Sequence, residues 1–549
     1  MNGRIFRWLY NKIHHKIPFV FLVTFCSICA SVSGVLFALG TKNIIDVAVS
    51  GDRAQFPRAC VIQLLIILCI LVFNALLQHL KERMHADLDR EWKQTLLHDL
   101  LISEYRCASK FHSSELVNRL NNDVRILDDA IVNLIPNLFS MITRVVAAFI
   151  ILTALTPLFS LLLLAIGLVV LLLTGFLRRY LKELHKRVSE ADGRVSGILQ
   201  ETLEKLLAVQ AMGIAPEIEQ RTKKRLDARF AIHSKRKNLS LLVNACISIL
   251  YYGAGFAALV CCSVGLLKGA MTFGTMTAVI QLVNQLQGPL VGLSGILPQY
   301  TAALAASERL YELDSLPKTV ALCDDTPQAI YDRLDCITAR NLTFRYDQDL
   351  VFDCAEFSLP KGSFCAVTGL SGIGKSTLLK LLLGIYPPEE GDIFLQCGNE
   401  QIKVDGSTRH LFAYVPQGNL VFSGTIRDNL LMVNPSAKES DINTAVYVSA
   451  MDQYVQQLPN GLDTVIGESG AGLSEGQIQR LAIARAILVG APILLLDECT
   501  SALDSNTEAM VLSRLCELKE KTCIAVTHRT IPQNICTATL NIHDGIVSI

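Results

Sequence analysis

The sequence predicts a multi-domain protein in which an all-α transmembrane domain with six spans and long cytoplasmic helical arms precedes an α/β domain with a phosphate-binding loop. Two observations lead to this prediction. Hydrophobic residues make up 51% of the chain, and their excess lies before residue 300. After residue 336, apolar strands alternate with helices around a glycine-rich segment. With 549 residues the chain is too long for one hydrophobic core, so at least two domains are expected.

The N-terminal part contains six apolar stretches, each long enough to cross the roughly 30 Å of hydrocarbon in a bilayer. All but the third lack Asp, Glu, Lys and Arg over a full crossing length, which argues against the alternative of buried helices in a large soluble protein. We predict a transmembrane domain over residues 1–312. Its spans are predicted at residues 17–40, 59–80, 131–155, 158–177, 239–267 and 273–297.

The basic residues orient these spans. The connection between the second and third spans carries eight Lys and Arg residues, and that between the fourth and fifth carries fifteen. The three other connections contain only Lys42, Arg53, Arg58 and Lys268. The positive-inside rule therefore predicts a multi-pass protein of the cell membrane with both termini in the cytoplasm. The 50 basic residues balance 50 acidic ones, so no net charge attracts nucleic acid. The seventeen cysteines are expected to remain reduced, because they lie in the spans or on the cytoplasmic side.

The two long cytoplasmic connections are predicted to be helical arms. Residues 82–130 and 178–238 show helical periodicity with charged faces and little Pro or Gly. At 1.5 Å per residue, an arm of about 25 residues would reach about 35–40 Å from the membrane. The predicted tips lie at residues 107–115 and 211–217. Residues 313–335 are polar with scattered Pro and form a predicted linker, which leaves residues 336–549 as a nucleotide-binding domain.

A phosphate-binding loop follows the apolar strand at residues 364–367. Small residues let backbone N–H groups surround a phosphate, and the following helix N-terminus adds partial positive charge. In this pattern Lys375 contacts the β- and γ-phosphate oxygens and Ser376 offers its hydroxyl to Mg²⁺. The nucleotide-binding residues predicted here are Gly369, Leu370, Ser371, Gly372, Ile373, Gly374, Lys375, Ser376 and Thr377.

Two later strands end in titratable residues. Asp497 and Glu498 end the apolar strand at residues 493–496, and His528 ends the next one. The alternative is that the acids are a solvated strand end and the histidine a structural one. Because they follow a phosphate loop in an α/β domain, Asp497 is predicted to bind Mg²⁺ and Glu498 to act as general base. His528 is predicted to position the γ-phosphate and Glu498 relative to each other.

With these motifs, nearly the whole chain from residue 17 onwards resembles the ABC exporter half-transporters, in which a six-span membrane domain and an ATPase domain are fused. Further motifs carry the resemblance: the signature Leu473-Ser474-Glu475-Gly476-Gln477, the turn Ser501-Ala502-Leu503-Asp504, and Gln417 in Tyr414-Val415-Pro416-Gln417. Tyr346 matches the aromatic residue that stacks on adenine. Glu468 matches a residue of an exporter-specific loop that contacts the arms.

The resemblance implies an ATPase that uses ATP and Mg²⁺ and works as a dimer. Each ATP is expected to lie between the phosphate loop of one subunit and Ser474, Glu475, Gly476 and Gln477 of the other. Closure of the dimer then switches the membrane cavity outwards, and hydrolysis resets it. Gln417 is implied in both Mg²⁺ sensing and catalysis. One residue departs from the family: Glu475 stands where glycine is commoner, and its carboxylate is expected to slow closure without abolishing activity.

The predicted function is ATP-driven export of an amphiphile, peptide, lipid or drug by alternating access of a dimer in the membrane. A soluble ATPase acting on DNA or ribosomes is excluded by the spans. Three alternatives remain: import of a metal chelate, a heterodimer with a homologous half-transporter, and a regulatory or channel-gating subunit. A homodimer is preferred because the predicted ATP-site motifs are nearly complete.

Polar residues inside the predicted spans are the candidates for contacting substrate. Arg144 lies in the third span, where a buried arginine usually faces a cavity or a partner; the alternative is that it reaches the headgroups. Gln281, Asn284 and Gln285 recur at helical spacing on the sixth span, and Asn244 lies on the fifth. These four residues are equally compatible with hydrogen bonds between helices. If they line a path, it suits an amphiphile, including an anionic one.

Overall fold

A computed structural model describes residues 2–157, 159–160, 183–184, 187–188, 190–319, 325–418, 421–467, 470, 472–518, 520–527, 536–543 and 545–548. The chain forms two compact units. The first contains Met1–Asp99 and His112–Ser315, and the second contains Leu100–Phe111 and Leu316–Ile549. The segment Leu100–Phe111, predicted as part of the transmembrane domain, thus belongs by its contacts to the second unit. The predicted boundaries at residues 312 and 336 stay predictions.

The described residues of the first unit form helices joined by short turns. The two longest described helices have 53 and 46 residues, which corresponds to about 80 Å and 70 Å and exceeds the bilayer core more than twofold. They therefore have room both to span and to form arms. The helices are Asn2–Ile13, Ile17–Ser50, Phe56–Leu101, Ser113–Asn118, Val124–Asp129, Ile135–Leu155, Leu206–Ala211, Ala215–Leu267 and Phe273–Asp314, and residues 190–204 are also helical.

Four helical stretches of the described chain are long and apolar enough to cross a membrane. They are Gly3–Ser50, Phe56–Leu101, Ser113–Leu155 and Ala215–Leu267, and they contain the first, second, third and fifth predicted spans. The predicted fourth span, residues 158–177, lies almost wholly outside the described residues. The sixth falls within the helix Phe273–Asp314, which is not among these four. The number of six spans therefore stays a prediction.

The predicted arm tips coincide with interruptions of the helices. The helix Phe56–Leu101 is followed by a short helix, Tyr105–Ala108, before the chain becomes helical again at Ser113. In the other arm the helices Leu206–Ala211 and Ala215–Leu267 are separated by three residues. Both interruptions contain the Ser, Gly or Pro residues that predicted them.

Two π-helical turns interrupt the path from Ser113 to Leu155, and the first one positions a buried ionic network. Asp123, with no exposed surface, accepts hydrogen bonds of 2.6 and 2.7 Å from the Arg309 guanidinium. Arg119, 5% exposed, contacts Glu115 at 2.7 Å and Glu312 at 2.8 Å. A bidentate pair of this kind satisfies a charge that would otherwise be buried at high cost. The network fastens the helix Phe273–Asp314 to this arm.

The second unit is an α/β domain, and its central sheet has six strands in the order β12-β11-β3-β10-β9-β6. Four of the neighbouring pairs are parallel, and β11 with β12 is antiparallel. The other sheets have the orders β2-β1-β4-β5 and β7-β8. The strands are β1 Cys336–Tyr346, β2 Asp349–Pro360, β3 Phe364–Gly369, β4 Glu390–Cys397, β5 Glu400–Lys403, β6 Phe412–Val415, β7 Gly424–Thr425, β8 Val465–Ile466, β9 Ile493–Asp497, β10 Thr522–Val526, β11 Ala538–His543 and β12 Ile546–Ser548.

Helices cover the sheets of this unit. The strands β9 and β10 are buried along their whole length, as expected for parallel strands with helices on both faces. The parallel register of β3 and β9 with β10 aligns their carboxyl ends, where ligands bind in such folds. The helices are Tyr105–Ala108, Pro327–Arg333, Lys375–Leu382, Ile426–Leu431, Glu439–Val448, Asp452–Gln457, Glu475–Val489 and Ser505–Cys516. One of them, Pro327–Arg333, lies in the predicted linker.

Candidate functional site

The phosphate loop leaves the carboxyl end of β3 and enters the helix Lys375–Leu382, as predicted. Gly369 has a φ of 147°, and a Cβ on it would lie 2.7 Å from the carbonyl oxygen of Ile542. No other residue fits there without moving the backbone. The loop thus turns tightly at the end of the strand. Leu370, Ser371 and Gly372 are exposed at its rim, and Ile373 is half-buried.

Lys375 lies beneath this loop. Its side chain is buried, and Nζ donates hydrogen bonds to the carbonyl oxygens of Gly369 at 2.8 Å and Leu370 at 3.1 Å. An ammonium group has three donors, so these two bonds leave one free to turn toward a phosphate oxygen. Lys375 therefore both shapes the loop and provides a positive charge inside it.

Asp497 and Ser376 meet at the end of β9. The Ser376 hydroxyl donates to Asp497 Oδ1 at 2.8 Å, and the Tyr414 hydroxyl donates to Oδ2 at 3.0 Å. Burial raises the pKa of Asp497; the bonds from Ser376 and Tyr414 oppose that rise, and the neighbouring charge of Glu498 adds to it. A buried carboxylate beside a hydroxyl is a hard oxygen donor set of the kind Mg²⁺ takes together with phosphate oxygens. The residues present therefore fit Mg²⁺.

Glu498 follows directly and has a strained backbone. Its φ is 50°, in the left-handed region that non-glycine residues seldom adopt, which costs about 1–3 kcal/mol. Its N–H donates to the carbonyl oxygen of Val526 at 3.2 Å, which holds the residue against β10. Gln417 Nε2 donates to Glu498 Oε2 at 2.8 Å. The structure thus places Gln417 on the predicted general base; its role at the metal stays a prediction.

Tyr346, the last residue of β1, lies beside the phosphate-loop helix. Its ring packs edge-on against Phe344, with centroids 4.9 Å apart, and the Thr377 hydroxyl donates to its oxygen at 3.4 Å. The side chain of Tyr346 keeps 36% of its surface exposed. An exposed aromatic ring next to the phosphate-loop helix is suited to stack on a base.

The signature segment begins the helix Glu475–Val489. Ser474 is its N-cap: the Ser474 N–H donates to Gln477 Oε1 at 2.7 Å and the Gln477 N–H donates back to Ser474 Oγ at 3.3 Å. A Cβ on Gly476 would lie 3.0 Å from the carbonyl oxygen of Ala502, so this residue must be small. Glu475 is exposed at the first helical position.

Within the described residues, no hydrogen bond or ion pair joins the signature segment to the phosphate loop of the same chain. Gln479 instead connects the signature helix to the turn after the catalytic strand, because its side chain bonds to Ser501 Oγ and to the N–H of Ala502, both at 3.0 Å. The chain therefore groups Tyr346, Lys375, Ser376, Asp497, Glu498 and Gln417 around its phosphate loop, and links Ser474, Gly476 and Gln477 to the Ser501–Asp504 turn.

Some predicted residues lie outside the described residues, namely His528 and Glu468, and the side chain of Asn244 is not described either. The sequence reasoning missed Tyr414 and Tyr386. Tyr414 is a hydroxyl-bearing residue in an apolar strand directly before Pro416-Gln417, and that context was a usable signal for a polar role. Tyr386, which packs on Tyr346 at 5.5 Å, follows a helix in a turn and gave no such signal.

Comparisons with known proteins agree with this geometry. The family model described as ABC transporter transmembrane region matches residues 20–290, and the one described as ABC transporter matches residues 352–501. An ATP-dependent lipid A-core flippase of Vibrio parahaemolyticus is 30% identical over 71% of this chain and 67% of its own length. The chain belongs to the ABC transporter family. As an ABC transporter with fused membrane and ATPase domains, it is a membrane protein that binds ATP and couples its hydrolysis to transport.

Two further similarities are relevant to this ABC transporter. The mycobactin import ATP-binding/permease protein IrtB of Mycolicibacterium smegmatis is 35% identical over 48% of this chain and 45% of its own length. A solved structure of a bacterial Atm1-family ABC exporter with ATP bound has a TM-score of 0.81, covering 98% of this chain and 95% of that one. At 23% identity this structure establishes the fold alone, and that fold is the exporter type predicted from the sequence.

Proposed function

We propose that this ABC transporter is an exporter that works as a homodimer in the cell membrane, with both termini in the cytoplasm. The observation that supports this most directly is that one chain carries residues for both sides of a shared ATP site. Its phosphate-loop side holds Ser376 on Asp497 at 2.8 Å and Gln417 on Glu498 at 2.8 Å, and its signature helix begins at Ser474. A second copy of the same chain can therefore supply the other side of the site. A subunit that only regulates or gates gains nothing from keeping the general base in place.

The residues divide the work of hydrolysis. Lys375 and the N–H groups of the phosphate loop bind the phosphate oxygens, while Tyr346 stacks on the adenine. Ser376 and Asp497 would hold Mg²⁺, which when bound would supply positive charge beside the phosphate groups. Glu498 accepts a proton from the attacking water, and the hydrogen bond from Gln417 orients its carboxylate. His528 is proposed to hold the γ-phosphate.

The signature segment completes the site of the other subunit. Ser474, Gly476 and Gln477 close over the phosphates bound by the partner's loop, so ATP favours the closed dimer over the open one. A ligand shifts a conformational equilibrium only by its differential affinity, and the shared site provides that difference. Glu475 adds a carboxylate to this surface and is expected to slow closure.

The direction of transport has a second candidate. The similarity to IrtB, a protein named for mycobactin import, is the observation that favours import of a metal chelate. Export is preferred here on the resemblance of the whole chain to exporters rather than on any residue of the site.

The substrate we propose is an anionic amphiphile. Arg144 Nε, Gln281 Oε1 and Gln285 Oε1 are buried in the membrane bundle without a hydrogen-bond partner among the described residues. Ser31 is bonded to Ser140 at 2.6 Å, and the Gly34 carbonyl accepts a bond from Gln285 Nε2 at 2.7 Å. Arg144 is one helical turn beyond Ser140, and Gly34 is about one turn beyond Ser31. The arginine and the glutamines therefore lie at neighbouring levels. One donor and two acceptors suit an anion that also carries O–H or N–H groups.

Arg144→Ala is expected to reduce the apparent affinity of this ABC transporter for an anionic amphiphile by roughly tenfold or more, since hydrogen bonds to charged groups contribute about 1.5–3 kcal/mol. The measurement is ATPase stimulation by a dialkyl phosphate titrated into proteoliposomes. Arg187→Ala, which removes an exposed arginine of an arm, is the matched control and should leave the titration unchanged. If Arg144→Ala is stimulated as the wild type is, Arg144 serves the headgroup region and not the substrate.

The proposed function is tested with the chain expressed alone and reconstituted into phosphatidylethanolamine–phosphatidylglycerol vesicles. We expect a particle of two copies with ATPase activity, and ATP-dependent accumulation of a fluorescent anionic amphiphile in vesicles whose ATPase domains face outward. Glu498→Gln should abolish the accumulation. Loss of preloaded substrate from the lumen would establish import instead. An inactive or single-copy particle would contradict the homodimer and direct the search to a partner subunit.

A further inference from the structure

The aromatic residues beside the phosphate-loop helix continue beyond Tyr346. Tyr386 packs edge-on against Tyr346, with ring centroids 5.5 Å apart and planes at 88°, and it also lies 5.7 Å from Phe344. Tyr105 also packs against Tyr386, with centroids 6.1 Å apart and planes at 80°. Edge-to-face geometry is the favoured arrangement of such rings. Three tyrosines therefore form a connected row that ends at the ring proposed to stack on adenine.

Tyr105 enters this row from the segment Leu100–Phe111. That segment is paired with residues of the predicted linker by backbone bonds: the N–H of Glu104 donates to the Pro317 carbonyl at 2.8 Å, and the N–H of Thr319 donates to the Ile102 carbonyl at 2.8 Å. The location of Tyr105 is therefore determined by main-chain contacts rather than by its own ring. The ring is free to serve another purpose.

Tyr386 is enclosed by its aromatic neighbours. Burial raises the pKa of Tyr386, and the adjacent Tyr346 and Tyr105 raise it further. The Tyr346 ring in turn packs against both Phe344, at 4.9 Å, and Tyr386, at 5.5 Å. These two ring contacts limit the rotation of the Tyr346 ring.

Tyr105 is poorly explained as a core residue. Its side chain keeps 55% of its surface exposed, and its helix has four residues. A residue placed there for stability alone would be expected to bury its ring. What Tyr105 does contact is Tyr386, and through it the Tyr346 ring.

We propose that Tyr105 is a positioning residue of the nucleotide site, which holds the adenine-stacking face of Tyr346 in place through Tyr386. The inference rests on the nucleotide site proposed above. It assigns an effect on base binding to a residue more than two hundred positions away in sequence and in another predicted domain. The contribution should appear in the affinity for ATP and not in the chemical step, because the described contacts of these rings include neither Lys375 nor Glu498.

The experiment uses the full-length, reconstituted transporter. Tyr105→Ala should raise the KM for ATP by about three- to tenfold, the fold-change that corresponds to one edge-to-face ring pair, with kcat within twofold of the wild type. Tyr105→Phe keeps the ring and should retain the wild-type KM. Tyr105→Leu keeps apolar bulk without an aromatic edge and should behave like Tyr105→Ala, which separates positioning from loss of packing. Leu101→Ala, at a 75% exposed side chain of the same segment, is the matched control.

A second readout separates the base from the phosphates. Inorganic tripolyphosphate competes at the phosphate loop and has no base, so its inhibition constant should be the same in Tyr105→Ala and the wild type. An equal rise in the ATP KM and the tripolyphosphate inhibition constant would overturn the proposal, because the effect would then come from the loop or the fold. An unchanged ATP KM in both Tyr105→Ala and Tyr105→Leu would also overturn it.

Tyr346→Ala shows whether a failed test of Tyr105 is due to the role of Tyr105 or to the adenine site itself. It should raise the ATP KM at least as much as Tyr105→Ala and leave tripolyphosphate inhibition unchanged. If Tyr346→Ala raises the KM while Tyr105→Ala does not, the nucleotide site is right and the role of Tyr105 is wrong. If Tyr346→Ala leaves the KM unchanged, the adenine site itself is wrong, and the role of Tyr105 is overturned with it.

Discussion

Glu498→Gln is expected to lower the ATPase rate of this ABC transporter by roughly 10²- to 10⁴-fold, the usual contribution of a general base. The amide keeps the size of the side chain but cannot accept the proton of the attacking water. The left-handed backbone at Glu498 and its bond to Val526 do not depend on the carboxylate, so the site should stay folded. ATP binding should therefore persist, and phosphate release under saturating Mg-ATP measures the loss.

The control for Glu498→Gln is Glu356→Gln, which makes the same carboxylate-to-amide change at an exposed position of β2. It should hydrolyse ATP at the wild-type rate. Equilibrium binding of radiolabelled ATP to both variants shows whether the site is intact. A Glu498→Gln protein that binds ATP and hydrolyses it at the wild-type rate would remove Glu498 from the mechanism and leave the general base to be found elsewhere.

Lys375→Met is expected to weaken ATP binding by roughly 10- to 10²-fold. The one donor of Lys375 that is left for a phosphate oxygen contributes about 1.5–3 kcal/mol, which corresponds to that range. The buried Nζ also holds the carbonyl oxygens of Gly369 and Leu370, so its loss removes both the charge and two contacts that shape the loop. Direct ATP binding, measured at low temperature to limit turnover, gives the dissociation constant.

Lys403→Met is the matched control for this change. Lys403 forms a surface ion pair with Asp392 at the edge of a different sheet, and such pairs contribute little. Its ATP affinity should equal that of the wild type, and the melting temperatures of both variants without ATP should be close. Tight ATP binding by Lys375→Met would show that the phosphates bind elsewhere, whatever the sequence of the loop.

The parts of the fold that sequence reasoning predicted are those with strong local signals. β3, β9 and β10 are short apolar runs, and the phosphate loop combines a strand, glycines and a helix start within about a dozen residues. The strands β2, β4, β5, β7, β8, β11 and β12 were missed. In β2, β4, β11 and β12 buried residues alternate with more exposed ones, so their apolar content is diluted by polar residues, and β5, β7 and β8 have only two to four residues each.

Contacts between residues far apart in the sequence could not be predicted from it. Arg309 and Asp123 are 186 positions apart, and no local pattern in either segment predicts that they form an ion pair. The same holds for Gln417 and Glu498, whose individual roles were predicted but not their 2.8 Å hydrogen bond. A pairing of this kind depends on how the chain folds back, and spacing along the sequence does not encode it.

The sequence by itself determined that this chain carries apolar helices able to span a membrane and an ATP-hydrolysing α/β domain, because both signals are local: runs of apolar residues and short motifs whose spacing matches one turn or one strand. Only the tertiary structure decided which side chains meet. It placed Tyr414 on Asp497, moved Leu100–Phe111 to the ATPase unit and set Tyr105 against Tyr386. These contacts arise from burial and packing, which bring together residues that no local pattern relates.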